Sequence, residues 1–197
     1  MSRNDAEMDP RVARTRGLLR QALMELVTEK SFASLAIQQV TERAGLNRST
    51  FYLHYMGLHE LLEDCVKDLF GQMRVEIYAR AEKMALAPNQ ADYEPLVECV
   101  FNHLQTYQRF YRAMLGKSGD PYFGSLFRDL LAELIFEPMR GEMRGDAESE
   151  LILRFFTAGF MGVATWWVES GMPILAREAA RQVTDDILPA YMKLVEQ

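Results

Sequence analysis

The chain has 197 residues, of which 49% are hydrophobic and 25% charged, a composition typical of a folded globular protein and unlike that of a disordered chain. Its longest apolar stretch, Phe155 to Val168, is shorter than the roughly 18 residues expected of a membrane span. Its two cysteines provide neither a disulfide framework nor a set of metal ligands. We therefore predict a cytoplasmic protein with no membrane association, no metal and no cofactor.

The net charge of −6 is distributed unevenly along the chain. Between Pro10 and Glu60, seven basic residues outnumber four acidic ones, whereas residues 61–197 contain 14 basic and 21 acidic residues. A basic end on an acidic protein is typical of a nucleic-acid-binding segment, but solvated helical faces often differ by this much. Charge alone leaves both explanations open.

Helical periodicity and capping signals cover nearly the whole chain and predict an all-α fold. Asp9-Pro10 is a helix start, because an acidic cap precedes a proline at the first helical position. Apolar residues from Val12 to Val27 then recur at intervals of three and four, and this stripe ends near Lys30. A short helix follows over about Ile37 to Ala44.

Gly45 interrupts the pattern with a residue suited to a sharp turn between helices. Asn47 is a favourable N-cap for a two-turn helix from Arg48 to His54. The next helix begins near Leu58 and continues into the mid-eighties. Four later helices are predicted from caps and breaks: Asp92 to about Leu115, Asp120 to about Arg144 with an interruption near Pro138 or Gly141, Leu151 to Ser170 after Gly145-Asp146, and a last helix that Pro189 kinks near Leu188.

The segment IQQVTERAGLNRSTFYLHYMGLHELL, Ile37 to Leu62, predicts a helix-turn-helix, which presents its second helix to the major groove of DNA. Arginine can contact guanine or a phosphate, serine and threonine hydroxyls can contact either, and the polar tips of tyrosine and histidine suit phosphate oxygens. Free N–H groups near the helix start also favour a phosphate. The predicted DNA-binding residues are Asn47, Arg48, Ser49, Thr50, Tyr52 and His54. Phe51 is expected in the core instead.

A cluster of arginines precedes this segment, on the first predicted helix. Arg11, Arg14 and Arg16 could contact the DNA backbone or a minor groove, or could simply belong to a solvated helix start.

The stretch AGLNRSTFYLHY, Ala44 to Tyr55, resembles the recognition segment of TetR-family repressors, in which Ala-Gly, a capped turn and Thr-hydrophobe-Tyr-x-His-aromatic recur. The resemblance covers roughly residues 10–65. It implies a helix-turn-helix DNA-binding domain at residues 10–56 and a helical ligand-sensing and dimerisation domain at residues 57–197. It also implies a ligand-responsive homodimeric repressor that binds double-stranded DNA at a palindromic operator.

The sequence departs from this family pattern at two positions. Leu58 stands where relatives usually have a lysine that contacts phosphate, and the neighbouring His59 is a candidate substitute. Ala36 stands where a threonine or serine commonly caps the second helix, so Ser34 is the expected cap.

The segment from Phe155 to Gly171 resembles the dimerising helix of a TetR subgroup related to dihydroxyacetone-kinase regulators. Its small residues would let another helix pack closely, and Trp166 and Trp167 are large side chains of the kind enriched at interfaces. The predicted dimer-interface residues are Phe155, Gly159, Gly162 and Trp166. Internal packing of the same residues is the alternative.

The predicted helix from Asp92 to Leu115 is rich in aromatic residues that could line an apolar ligand cavity with a few polar tips. The predicted effector-binding residues are Phe101, His103, Tyr107, Tyr111 and Phe127, with Met73 and Phe155 as further candidate lining. An aromatic stripe of this kind also suits a plain core, and His103 could be a satisfied or exposed histidine. The effector, of unknown identity, could also be a protein partner.

No constellation of nucleophile and base, paired carboxylates or metal ligands predicts an enzyme. The remaining alternatives are an interaction protein of the same fold that has lost DNA binding, for which Leu58 is the main support, and an activator in place of a repressor.

Overall fold

The computed structural model describes residues 9–82, 90–117, 119–136, 147–187 and 189. Within those ranges all regular secondary structure is helical, which confirms the predicted all-α class. The α-helices in chain order are α1 Pro10–Glu29, α2 Ile37–Ala44, α3 Arg48–Tyr52, α4 Leu58–Ala81, α5 Glu94–Thr106, α6 Gln108–Leu115, α7 Pro121–Leu131, α8 Ala147–Glu169 and α9 Ala176–Gln182. None of the helices described here is long and apolar enough to cross a membrane.

The chain divides into two compact units, Met1–Asp68 and Leu69–Gln197, with the division falling inside α4. The first unit therefore contains the predicted helix-turn-helix together with the first turns of α4. The functional boundary at residue 56 stays a prediction.

The first unit is built around the apolar stripe of α1. Asp9 caps this helix by accepting a hydrogen bond from the backbone N–H of Arg11, as the Asp9-Pro10 pattern predicts. The stripe packs with side chains from α2, α3 and α4, and the buried core residues are Leu19, Leu23, Leu26, Val40, Phe51, Tyr55, Leu61 and Leu62. Burial of these side chains is the main force that holds the short helices α2 and α3 in place.

Two local predictions in this unit are wrong. Ser34 does not cap α2: its hydroxyl donates to the carbonyl oxygen of Ser31, and the side chain of Gln39 instead accepts from the backbone N–H of Ala36. The second short helix, α3, ends at Tyr52 and not at His54, because the N–H of Leu53 donates a hydrogen bond to the carbonyl oxygen of Thr50.

The second unit has an aromatic core. The predicted single helix from Asp92 to Leu115 is two helices, because the backbone breaks at Tyr107 with φ −108° and ψ 32°. A 3₁₀ turn at Gln90–Tyr93 precedes α5. Aromatic rings from α4, α5, α6, α7 and α8 meet inside this unit, among them Phe70, Phe101, Tyr111, Phe123, Phe127 and Trp167.

The remaining boundaries follow the predicted caps in part. Asp120 caps α7 through the N–H of Phe123, and α7 continues into a π-turn at Ala132–Phe136. The rest of the helix predicted to reach Arg144, with its interruption near Pro138 or Gly141, lies outside the described residues, as does the Gly145-Asp146 cap. The next helix, α8, begins four residues before the predicted Leu151, at Ala147.

The end of α8 agrees with the predicted break, since Gly171 and Met172 both adopt positive φ, at 77° and 60°. The final helix α9 is short and continues into a π-turn at Val183–Ile187. The predicted kink near Leu188 lies outside the described residues.

Candidate DNA-binding surface and effector site

The turn between α2 and α3 is set by Gly45. Its φ of 67° lies in the left-handed region, which glycine adopts without steric cost. The N–H of Gly45 donates to the carbonyl oxygen of Glu42 at 3.2 Å, and that of Leu46 donates to Thr41 at 2.9 Å. This pair of bonds is the Schellman motif, which ends α2 and redirects the chain into α3.

Asn47 organises the start of α3. Its side-chain oxygen accepts from the backbone N–H of Thr50 at 2.8 Å, from the Thr50 hydroxyl at 2.8 Å and from the Ser49 hydroxyl at 2.6 Å. The predicted N-cap is therefore confirmed. Three of the predicted DNA-binding side chains, Asn47, Ser49 and Thr50, thus lie together in one hydrogen-bonded group at the start of this helix.

Arg48 and Tyr52 form a pair one turn apart on α3. The Arg48 guanidinium lies over the Tyr52 ring, 5.6 Å from its centroid, and donates to the Tyr52 hydroxyl at 3.0 Å. Arg48 is exposed and Tyr52 is 48% exposed, so both tips are accessible to a partner. His54 is half-buried, and Phe51 is fully buried, which confirms the prediction that its ring belongs to the core.

A polar cluster behind α3 has no counterpart in the predictions. The Tyr55 hydroxyl donates to Asp64 at 2.6 Å and accepts from Arg16 at 3.1 Å. Asp64 also pairs with Arg16 at 2.6 Å and with Arg20 at 3.0 Å. Arg16 is thus bound within its own unit, and is neither a solvated residue nor a free contact for the DNA backbone.

The cluster changes the ionisation of its members. Burial by itself would raise the pKa of Asp64, but hydrogen bonds from Tyr55, Arg20 and Arg16 lower it below its ordinary value. Burial, with the adjacent Asp64, raises the pKa of Tyr55. Asp64 therefore stays ionised and Tyr55 stays protonated at neutral pH, so that Tyr55 continues to donate its hydrogen bond to the Asp64 carboxylate.

Two exposed apolar side chains beside α3 were also missed. Leu53 is 80% and Met56 is 87% exposed, directly after the recognition residues. The motif assigned no role to either position. His59, the candidate substitute for the missing lysine, is exposed, and its ring packs edge-on against Phe32 at 5.1 Å.

The predicted effector residues lie inside the second unit, in and around its aromatic core. Phe101, Tyr111 and Phe127 are fully buried, and His103 and Tyr107 are half-buried. The His103 ring lies 4.9 Å from Tyr107 and 5.7 Å from Tyr111, measured between centroids, and Tyr111 lies 5.3 Å from Phe127. Phe101 packs elsewhere, edge-on against Trp167 at 5.2 Å.

Two polar atoms in this group are buried without a partner, namely Nε2 of His103 and the hydroxyl of Tyr111. His103 is half-buried and its Nε2 lacks a partner, so the alternative prediction of a satisfied or exposed histidine does not hold for this atom. Burial lowers its pKa to about 4, although Glu76 opposes the shift, so the imidazole is neutral at pH 7. Burial also raises the pKa of Tyr111.

A surface groove of about 600 Å³ lies elsewhere in this unit, between α7 and α8. Charged residues of both signs line it, including Arg128, Asp129, Glu150 and Arg154. None of the predicted effector residues is part of its lining. Phe155, a further candidate for the cavity lining, is 71% exposed on α8 and does not face the interior.

One face of α8 is exposed and apolar. Phe155 is 71% and Trp166 is 52% exposed, and Gly159 and Gly162 lie exposed between them. A methyl group added at either glycine would meet no atom within 4 Å. Trp167 behaves differently, because it is fully buried and donates from Nε1 to the carbonyl oxygen of Ile174 at 3.0 Å. Its expected role at an interface is therefore wrong.

Comparison with known proteins identifies the class. The family described as a transcriptional regulator C-terminal region, of the TetR kind, matches residues 91–187. An uncharacterised HTH-type transcriptional regulator from Bacillus subtilis (strain 168), YxbF, is 34% identical over 64 residues, which make up 32% of this chain. The match spans only 17% of the length of that relative.

Solved structures share the fold over nearly the whole chain. A TetR transcriptional regulator from Streptococcus agalactiae 2603V is 23% identical, with a TM-score of 0.68 over 96% of this chain and 97% of that one. The dihydroxyacetone kinase operon activator DhaS is 15% identical, with a TM-score of 0.55 over 92% of this chain and 96% of that one. At 15% identity the likeness to DhaS shows a common fold, so the predicted subgroup stays a prediction.

The C-terminal region of the chain is therefore that of TetR-family transcriptional regulators, and the chain shares its fold with a solved TetR regulator, in agreement with the resemblance of its recognition segment. The proteins of this family are regulators and in general not enzymes.

Proposed function

We propose that the protein is a ligand-responsive homodimeric repressor that binds a palindromic DNA operator through α3. The observation that carries the proposal is the arrangement of α3: Asn47, Ser49 and Thr50 are grouped at its start, and the accessible Arg48–Tyr52 pair lies on one side. These side chains offer the donors and acceptors that base edges and phosphates require. Tyr52 and His54 are assigned to phosphate contacts.

Dimerisation is assigned to α8. An exposed face that contains Phe155 and Trp166 leaves large apolar side chains in water, whereas a second copy packed against it would bury them. Gly159 and Gly162 leave open space for a close helix approach. Two copies joined this way would place two recognition helices on one DNA, about 34 Å apart for successive major grooves.

Ligand response is assigned to the aromatic core of the second unit. A ligand that binds one dimer form better than another shifts the population towards that form, in proportion to its differential affinity. Because α4 belongs to both units, a change in its position at the core would alter the separation of the recognition helices. The effector set for this role is Phe101, His103, Tyr107, Tyr111 and Phe127.

The direct test is selection of binding sites from random duplex DNA, followed by titration of Arg48→Ala against the recovered palindrome. If Arg48 reads a base, the variant should lose about 1–3 kcal/mol on the palindrome and less on unrelated DNA. Arg109→Ala is the matched control, because it removes the same charge from an exposed position on α6. Equal loss on all sequences would assign Arg48 to phosphate, and no loss would remove α3 from the interface.

The second candidate is an interaction protein that keeps the fold and has lost DNA binding. The observations that favour it are Leu58 at the usual lysine position and the exposed Leu53 and Met56 beside α3. Recovery of no sequence motif, with binding equally poor on all DNA, would support it. The sign of regulation is a separate question, since DhaS is named an activator. Transcription from a promoter bearing the recovered operator, with and without the protein, decides between repression and activation.

A further inference from the structure

Buried polar groups in the described part of the second unit are almost all satisfied within the chain. Thr157 donates to the carbonyl oxygen of Leu153, Thr184 to that of Ala180, and Trp167 to that of Ile174. The two exceptions, Nε2 of His103 and the hydroxyl of Tyr111, belong to rings that contact each other. Because a buried polar atom without a partner is costly, two such atoms on rings in contact favour the binding of a polar group from outside the chain.

The surroundings of the two groups define what that occupant can be. Tyr111 is enclosed by the rings of Phe110, Phe123 and Phe127, with centroid distances of 5.3–5.9 Å. Aromatic walls of this kind favour a flat apolar body, which can stack or meet the rings edge-on. The ligand that these surroundings fit best is an aromatic molecule with one polar substituent, which would reach His103 and Tyr111.

The charge of the site disfavours an anionic ligand. His103 is neutral at pH 7 because burial lowers its pKa to about 4, and Tyr111 keeps its proton. The charged side chain that acts on His103 is the carboxylate of Glu76, on α4, which repels an anion. Among the described residues no cation acts on His103 or Tyr111, so a carboxylate or phosphate buried there would remain uncompensated.

We propose that His103 and Tyr111 together bind the hydroxyl group of an uncharged aromatic effector, a phenol or a small aromatic alcohol. One of the two side chains donates a hydrogen bond to the ligand oxygen, and the other accepts a hydrogen bond from the ligand hydroxyl. Both protein groups and the ligand hydroxyl are then satisfied. This inference rests on the proposed ligand response and adds the chemical class of the effector.

Calorimetric titration of the full-length protein with phenol, toluene and benzoate tests the proposal. Phenol should bind saturably, benzoate should not bind, and Tyr111→Phe should bind phenol about tenfold more weakly, the equivalent of one lost hydrogen bond. Toluene, which has no hydroxyl, should bind the protein and the Tyr111→Phe variant equally. Tyr122→Phe, the same change at a partly exposed position on α7, should leave phenol binding unchanged.

Thermal unfolding of the unliganded Tyr111→Phe protein is an independent test of the proposal. Its midpoint of thermal unfolding should equal or exceed that of the parent, because the substitution removes an unsatisfied hydroxyl and retains the ring. A lower midpoint would show that the hydroxyl already has a partner, such as a bound water, and would overturn the proposal. His103→Phe, which removes the other polar group, should weaken phenol binding in the same way.

The proposal also fails if phenol does not bind, if phenol binds Tyr111→Phe as well as the parent, or if the variant loses toluene and phenol equally. Release of operator DNA by phenol is measured separately. Phenol binding without DNA release would overturn the ligand response of the proposed function and leave the site intact. DNA binding without phenol binding would overturn the site and leave the DNA-binding function intact.

Discussion

Tyr55 connects three segments of the N-terminal unit through a single hydroxyl group. It lies just after α3, donates to Asp64 on α4 and accepts from Arg16 on α1. The ring is buried, so Tyr55→Phe keeps the packing and removes only the hydrogen bonds. We expect a loss of about 1–2 kcal/mol in the free energy of unfolding, measured by chemical denaturation.

The control is Tyr52→Phe, which removes a hydroxyl that contacts Arg48 at an exposed position on α3. Its expected effect on the free energy of unfolding is within about 0.5 kcal/mol, as for most surface substitutions. Equal effects of the two substitutions would mean that the cluster around Asp64 adds nothing to stability.

His103 makes stability depend on pH in a defined window. Its pKa is about 4 in the folded protein against 6.5 for an unperturbed histidine, so the folded state disfavours the proton. Stability is therefore complete above pH 6.5 and falls as the pH drops towards 4. The expected loss is about 2 kcal/mol at pH 5, from the difference in proton binding between the two states.

Chemical denaturation at pH 7.5 and pH 5 measures this loss, and His103→Gln should abolish most of it. Glu76, Tyr107 and Tyr111 face the same ring and are unchanged in the variant. His59→Gln, at an exposed histidine, should retain the full loss. The same pH dependence in His103→Gln would contradict the assignment.

For single residues, the sequence predicts the roles that depend on neighbours close by in the chain. Asn47 caps α3 and Phe51 is buried, because a cap lies three residues from its N–H and the spacing of a short helix sets its inner face. The role of Asp64 could not be predicted, since its ion-pair partners lie far away in sequence, on α1, and nothing in the local pattern distinguishes it from a solvated aspartate. The same holds for the contact between His103 and Tyr111, which depends on how α5 and α6 meet.

In α8, one substitution is expected to change the stability of the monomer and the affinity of the dimer in opposite directions. Gly162 lies in the interior of this helix with open space around it, so alanine there should stabilise the helix by about 0.5–1 kcal/mol in the monomer. If α8 packs closely against its copy, the added methyl group should instead weaken the dimer, by about 1–3 kcal/mol as for other overpacked contacts.

Sedimentation equilibrium measures the dissociation constant of the dimer, and circular dichroism checks that helix content is retained. Gly71→Ala is the matched control, because this residue lies in α4 with the same open space. It should bring a similar helical gain with no change in dimerisation. An unchanged dimer in Gly162→Ala would place the interface away from this part of α8.

Helix boundaries were predictable where a residue of special chemistry marks them. Asp9-Pro10, Gly45 and Asp120 each mark an end that the structure confirms. The break at Tyr107 was missed, because neither glycine nor proline marks it and the aromatic pattern continues across it. Tertiary packing overrides local propensity at such a position.

At the scale of the whole molecule, the two units differ in how much the sequence says about them. The first contains a motif with a particular order of residue types, so the resemblance to TetR-family regulators was evident from the 26 residues Ile37 to Leu62. The second has to form only a helical core and an interface, which many sequences can do. Its family became evident from the match over residues 91–187.

The proposed function depends on specific binding of a dimer to DNA, and its most direct test is a titration of the selected palindrome at several salt concentrations. We predict two chains per duplex, an affinity at least about 1000-fold above that for random DNA, and a logarithmic salt slope of about −0.9 for each phosphate contacted. Binding that is independent of sequence, or one chain per palindrome, would contradict specific operator binding by a dimer.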